Sequence, residues 1–280
     1  MLVASLSDDA LLHHVRNLPV APRLLVDLGQ ALRHSRTHSS EITALLRQDT
    51  SLVARIIAMA NGAAYGREEP VGSLEEALSC IGFREILRLV GVVAASQLAN
   101  LPVELYGVDG LRLRENSVFV AVLMEEMAAL AGDDPGEAYT VGLLRSIGKL
   151  ALKRLARRES NTSDFAASGE TRLDVWEEKT WGMTNCQMGA RILELWRLPA
   201  DTVLAIRHHY HPAGLEHPVI YRLHLAAGAA EQCGHGLPGE AEYWSFSLEN
   251  FTQAMIDPGQ YQTSLTRARK TFQRLQLAGG

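Results

Sequence analysis

The stretch Thr140–Arg158, TVGLLRSIGKLALKRLARR, decides how the chain is to be read. Leu144, Ile147, Ala151, Leu152 and Leu155 fall on one arc of a 3.6-residue helix, so the spacing predicts one amphipathic helix. Arg145, Lys149, Lys153 and Arg157 recur at i, i+4 on the other arc. Arg154 and Arg158 add cations where the helix C-terminus favours them. The plainest reading of the basic stripe is a solvated face. A sharper one is a surface for phosphate or an acidic partner, with Arg145 gripping phosphate through two donors. A third pairs Arg145 with Glu115. The polar pair Arg145-Ser146, set in an apolar run that ends in Gly-Lys-Leu, is the odd feature of the stretch.

Outward from this stretch, helical periodicity dominates and strand alternation is almost absent. SSEITALLRQD, SLEEALSCIG and FREILRLVGVVAASQLA read as helices before residue 100, with serine caps and early acids. A long helix follows over 111–130, ended by Gly132-Asp133-Asp134-Pro135. Beyond the polar segment 159–170, TRLDVWEEKTW, TNCQMGARILELW, ADTVLAIRHHY and PVIYRLHLAAGAAEQCG predict further helices, and the C-terminal residues hold one or two more. The fold class is all-α.

The 280 residues suffice for a core without staples, burying roughly 75% of the unfolded surface. The net charge of −5 disfavours broad nucleic-acid binding, which needs a basic field. Cys80, Cys186 and Cys233 lie far apart, with no disulfide framework or zinc pattern. No signal peptide is recognisable at the start. The longest uncharged run, Leu89 to Val103, is about 15 residues and too polar to span a bilayer. These features predict a cytoplasmic chain with no membrane contact and no cofactor.

LPVAPRLLVDL, LLRQDTSLVARIIAMANGAAYG and VGSLEEALSCIGFREILRLV resemble the opening helices of the HDOD domain. The matching positions include Leu18, Pro19, Gln48, Asp49, Asn61, Tyr65, Gly66, Ser73, Leu74, Ala77 and Gly82. GLLRSIGKL, GARILELWRLP and AIRHHYHP continue the likeness over roughly residues 15–235. The resemblance implies an HD-domain-like helical bundle with an N-terminal helical subdomain, and a role in bacterial signal transduction. It divides the chain into an N-terminal helical cluster (1–105), a degenerate HD-like bundle (106–235) and a C-terminal helical extension (236–280).

Active HD-type hydrolases hold a divalent metal with a His, a His-Asp pair and a later Asp. The likeness places Asn116, Arg145-Ser146 and Ala227 at those positions. An amide and a hydroxyl are weak ligands, alanine is none, and guanidinium repels a cation. No catalytic or metal residue is therefore expected. His208 and His209 are the remaining weak metal candidates, with His211 and His217 nearby, although adjacent helical positions point about 100° apart. Cys186, beside Asn185, reads as core. Asn61 and Tyr65 in NGAAYG could form a recognition loop but read more simply as structure, and Trp176 and Trp181 read as core.

The function expected is that of a non-catalytic regulatory protein that binds a signalling protein partner or a nucleotide signal. The candidate binding residues are Arg145, Lys149, Lys153, Arg157, Asn116, His208 and His209. The alternative is a divergent phosphohydrolase acting on nucleotides or cyclic di-GMP, with a metal site rebuilt around His208 and His209. A nucleotide receptor without turnover, centred on Arg145, is a third reading.

Overall fold

The computed structural model describes residues 28, 39–47, 53, 56–57, 60–61, 71–99, 104–156 and 164–278. Leu18, Pro19, Gln48, Asp49, Tyr65, Gly66, Arg157 and Arg158 lie outside the described residues. Among the described residues there are helices and no strand. They are α1 (Ser39–Leu46), α2 (Leu74–Ile81), α3 (Phe83–Ala99), α4 (Gly110–Ala131), α5 (Pro135–Leu144), α6 (Ile147–Ala156) and α7 (Phe165–Ser168). The chain continues with α8 (Leu173–Trp181), α9 (Asn185–Leu195), α10 (Ala200–His208), α11 (Pro218–Gln232), α12 (Leu248–Gln253) and α13 (Pro258–Ala278). No described helix is long and apolar enough to cross a membrane.

The axis of the bundle is α4. Asp109 caps its start by accepting from the Arg112 amide at 2.7 Å, and Gly132 stops it in the left-handed region at φ 82°. Asp134 and Pro135 then open α5 at once. Every residue of α4 from Asn116 to Ala128 is buried, so neighbours cover it on all sides. Those neighbours are α3, α5, α11 and α13.

Charged side chains inside this apolar setting are paired. Arg88 donates Nε to Glu125 at 2.7 Å and Nη2 to Glu126 at 3.3 Å, tying α3 to α4. Glu85 accepts from Arg88 at 2.9 Å and from Arg274 of α13 at 2.8 Å. Phe119 of α4 meets Phe272 of α13 edge-to-face at 5.4 Å. The helix α13 therefore closes on α3 and α4. Near the other end, Asn61 clamps the Val71 backbone, accepting at 2.6 Å and donating at 3.0 Å. Its amide serves the local fold.

Two glycines set the closest crossings. A methyl at Gly142 would lie 2.6 Å from the Ala121 backbone of α4, and one at Gly148 would lie 1.9 Å from the Asn185 carbonyl at the start of α9. Backbone cannot yield as a flexible side chain can. Gly148→Ala is expected to destabilise by about 1–3 kcal/mol through overpacking. Gly72→Ala, where the added methyl meets nothing within 4 Å, stays within about 0.5 kcal/mol of the parent. Urea denaturation of the two variants checks the pair.

Candidate functional site

The single helix expected over 140–158 is two helices. The chain turns at Arg145-Ser146, where the Arg145 amide reaches the Gly142 carbonyl at 3.4 Å and the Lys149 amide reaches Ser146 at 3.1 Å. Gly142 packs on α4 and Gly148 on α9, and the turn lies between these two contacts.

Over its described residues the basic stripe is likewise not a solvated face. Arg145 and Lys149 are each 1% exposed and Lys153 is 6% exposed. Arg145 and Lys149 share a carboxylate supplied from far along the chain. Glu240, also 1% exposed, stands just before a short 3₁₀ turn at Ala241–Tyr243. It accepts from Arg145 Nη1 at 2.8 Å, lies 3.0 Å from Lys149 Nζ and accepts from the Tyr210 hydroxyl at 2.6 Å. Lys149 also donates to the Tyr210 hydroxyl at 3.0 Å and lies 5.0 Å from the Tyr106 ring centroid. Burial alone would raise the Glu240 carboxyl, but the Arg145 and Lys149 charges hold it down at about 2.

Arg145 does not pair with Glu115. Its second nitrogen donates to Asn116 Oδ1 at 2.6 Å, and Asn116 passes a hydrogen bond on to the His235 carbonyl at 2.8 Å. Glu115 instead faces His235 Nδ1 at 3.3 Å and Gln276 at 3.0 Å. Ser146 Oγ is buried without a hydrogen-bond partner, and Ala227 is buried on α11.

A second carboxyl completes the network. Glu177 of α8 accepts from the Tyr106 hydroxyl at 2.8 Å and from the Asn185 amide and side chain at 2.7 and 2.9 Å. Burial raises its pKa, against the nearby Lys149 charge and these hydrogen bonds. Asn185 Nδ2 also reaches the Tyr210 hydroxyl at 3.3 Å. Two cations and two carboxyls thus share one interior cluster, roofed by Trp244, whose ring centroid is 5.8 Å from the Arg145 guanidinium.

The adjacent histidines diverge. His209 is fully buried, with Nδ1 2.9 Å from the Ile206 carbonyl and 3.9 Å from Cys186 Sγ, and its Nε2 has no hydrogen-bond partner. Burial and the Arg145 charge press its pKa well below the ordinary range, so the ring is neutral. His208 is partly exposed beside Arg207, and burial and that charge lower its pKa too. His211 and His217 turn to Asp174 and Asp201, each at 3.1 Å. Among the described residues no group of three or more His, Cys, Asp or Glu could hold a metal. A divalent ion does not fit the centre: guanidinium and ammonium offer no lone pair, and the Glu240 carboxylate already faces three donors. Burial also pushes the Cys186 thiol well up, away from a nucleophilic thiolate. Trp176 and Trp181 pack edge-to-face at 4.8 Å and are buried.

The family model of the HDOD domain matches residues 18–212. The chain belongs to the HDOD family. An HDOD domain protein of Geobacter sulfurreducens superposes over 98% of both chains, with a TM-score of 0.65 at 17% identity. A proposed signal transduction protein of Marinobacter aquaeolei VT8 is similar over 97% of this chain and 65% of its own, with a TM-score of 0.71 at 21% identity. A proposed phosphohydrolase of Shewanella amazonensis SB2B matches over 96% and 98%, with a TM-score of 0.65 and 21% identity. In sequence, the chain is 22% identical over 284 aligned residues to an uncharacterized protein of Treponema pallidum (strain Nichols), covering 99% of itself but 53% of that protein. The chain thus spans about half the length of this curated relative. At these identities the superpositions establish the all-α HDOD fold.

Two outcomes are expected from the centre. Glu240→Gln leaves two buried cations uncompensated and is expected to cost about 3 kcal/mol at neutral pH. A carboxylate held at about 2 against an ordinary 4.5 stabilises the fold above 4.5, and that contribution is lost as pH falls toward 2. The gap between parent and variant therefore closes over this window, which denaturant titrations at several pH values will read. His209 has the matching sign for a base held neutral: its contribution is present above the ordinary 6.5 and lost as pH falls below it. His209→Phe is expected to remove up to about 1.4 kcal/mol per pH unit of the stability slope below 6.5. His224, whose pKa burial also lowers, contributes in the same direction and leaves a residual slope in the variant.

Proposed function

We propose that this chain is a non-catalytic binding protein of bacterial signal transduction, regulating a protein partner rather than turning over a substrate. The observation that carries the reading is the ion triad of Arg145, Lys149 and Glu240. It stands where the resemblance to HD hydrolases would require a metal-binding His-Asp pair. Fixed cations that are buried and already engaged by the chain's own carboxylate are out of a phosphate's reach and activate no water. The same engagement speaks against a nucleotide receptor centred on Arg145, because a phosphate would have to displace Glu240 from a closed interior. The signalling role rests on the HDOD family, and on the stated role of the Marinobacter protein, of which this chain spans 65%.

The rival is a divergent phosphohydrolase, as the Shewanella protein is named. The unpartnered Nε2 of buried His209 is the feature that favours it. Elemental analysis of the purified protein and a phosphodiesterase assay on cyclic di-GMP with added manganese separate the two. We expect no stoichiometric metal and no turnover. Bound metal with turnover that vanishes in a His208→Ala, His209→Ala variant would overturn the proposal.

A further inference from the structure

The 21 residues of α13 include four cations and no carboxylate, in a chain whose net charge is −5. Arg269 donates to the Cys233 sulfur at 3.0 Å, and Arg274 pairs with Glu85 at 2.8 Å while its side chain stays 53% exposed. Arg267 and Lys270 are exposed and have no hydrogen-bond or ion-pair partner among the described residues. At about 100° and 1.5 Å per residue, Arg267, Lys270 and Arg274 share an arc of about 60° and form a row roughly 10 Å long.

The needs of the helix do not account for this row. The helix dipole favours a cation in the last turn, and the last turn of α13 holds none. Spacings of i, i+3 and i, i+4 set Lys270 against Arg267 and Arg274, and like charges so placed destabilise a helix. Beyond the first turn, the carboxylates that meet α13 among the described residues are Glu85 and Glu115. Both are largely covered and already engaged, Glu85 by Arg88 and Arg274, Glu115 by His235 and Gln276. The row therefore presents uncompensated positive charge to the outside.

We infer that this row docks an acidic segment of a partner protein, whose carboxylates meet Arg267 and Lys270 and the open side of Arg274. The inference rests on the binding function proposed above and gives that function a surface and a partner chemistry. Charge complementarity calls for an anion, and the surroundings choose among anions. The exposed arc beside the row presents Gln262, Thr266 and Gln273 and no apolar side chain, so it lacks the anchor of a membrane-surface helix. A row of roughly 10 Å in a chain of net charge −5 is not the broad basic field that nucleic acid requires.

The test uses the full chain and a fluorescein-labelled hexaglutamate peptide, read by anisotropy at low salt. Hexaglutamate is expected to bind and hexaglutamine is not. Raising the ionic strength from about 20 to about 150 mM is expected to weaken the binding about fivefold. The Arg267→Glu, Lys270→Glu variant, changed only at exposed positions, is expected to weaken it about tenfold. The Lys179→Glu, Arg197→Glu variant makes the same change in net charge at exposed positions on α8 and after α9, and is expected to stay within about twofold of the parent. Equal losses in the two variants, or no binding of hexaglutamate by the parent, would overturn the surface. Tighter binding of a DNA duplex or of phosphatidylserine vesicles, lost in the Arg267→Glu, Lys270→Glu variant, would overturn the acidic protein segment as its occupant. The titration needs no turnover, so its failure removes this surface alone, whereas turnover in the phosphodiesterase assay removes the non-catalytic reading alone.

Discussion

Glu240 is the side chain on which the interior depends. Arg145 and Lys149 point into a region from which water is excluded, and an ammonium or guanidinium without a counter-ion there costs several kcal/mol. One carboxylate, reached by three donors at 2.6 to 3.0 Å, removes most of that cost. It also fixes the path of the chain after α11, because the residues around 240 must lie against α5, α6 and α10 for the oxygens to arrive. Tyr210, Asn185 and Glu177 then extend the same polar cluster to α8 and α9. Every helix around the centre contributes a group or a wall to it.

Much of the architecture is legible in the sequence because the reasons are local. Asp109 and Gly132 bracket α4, Asp134-Pro135 opens α5, and the apolar arcs place the remaining helices. Gly142 and Gly148 are legible too, as small residues where helices cross. The centre is legible only in part. Asn116 and Arg145 are flagged by their place in the HDOD pattern, yet the i, i+4 spacing of Arg145, Lys149 and Lys153 reads equally as a wet face. What turns it inward is Glu240, 95 residues beyond Arg145 in GLPGEAEYW, a stretch with no helical period. The turn at Arg145-Ser146 is equally silent, since neither proline nor glycine stands at it. Its cause lies in two crossings with different helices.

The polar groups on α4 do a job that its apolar ones cannot. A helix that is greasy all round has little preference for one rotation over another. Asn116 at one end and Glu125 toward the other have hydrogen-bond partners that only one rotation satisfies: Arg145 and the His235 carbonyl in one case, Arg88 in the other. The charge distribution follows the same economy. A chain with a net charge of −5 keeps two cations in its centre and sets a row of others along the outside of α13.

The closure of α13 on the bundle has a consequence for the order in which the molecule is made. Glu85 meets Arg274 across 189 residues of sequence. At ribosomal rates of about 5–20 residues per second, roughly 10–40 s separate the emergence of the two partners. Phe119 is made 153 residues before Phe272, so for roughly 8–30 s the face of α4 around it waits for that partner, with its apolar surface open to other nascent chains. This bundle therefore closes only once α13 has emerged, and until then the open face of α4 is a surface that a chaperone can hold.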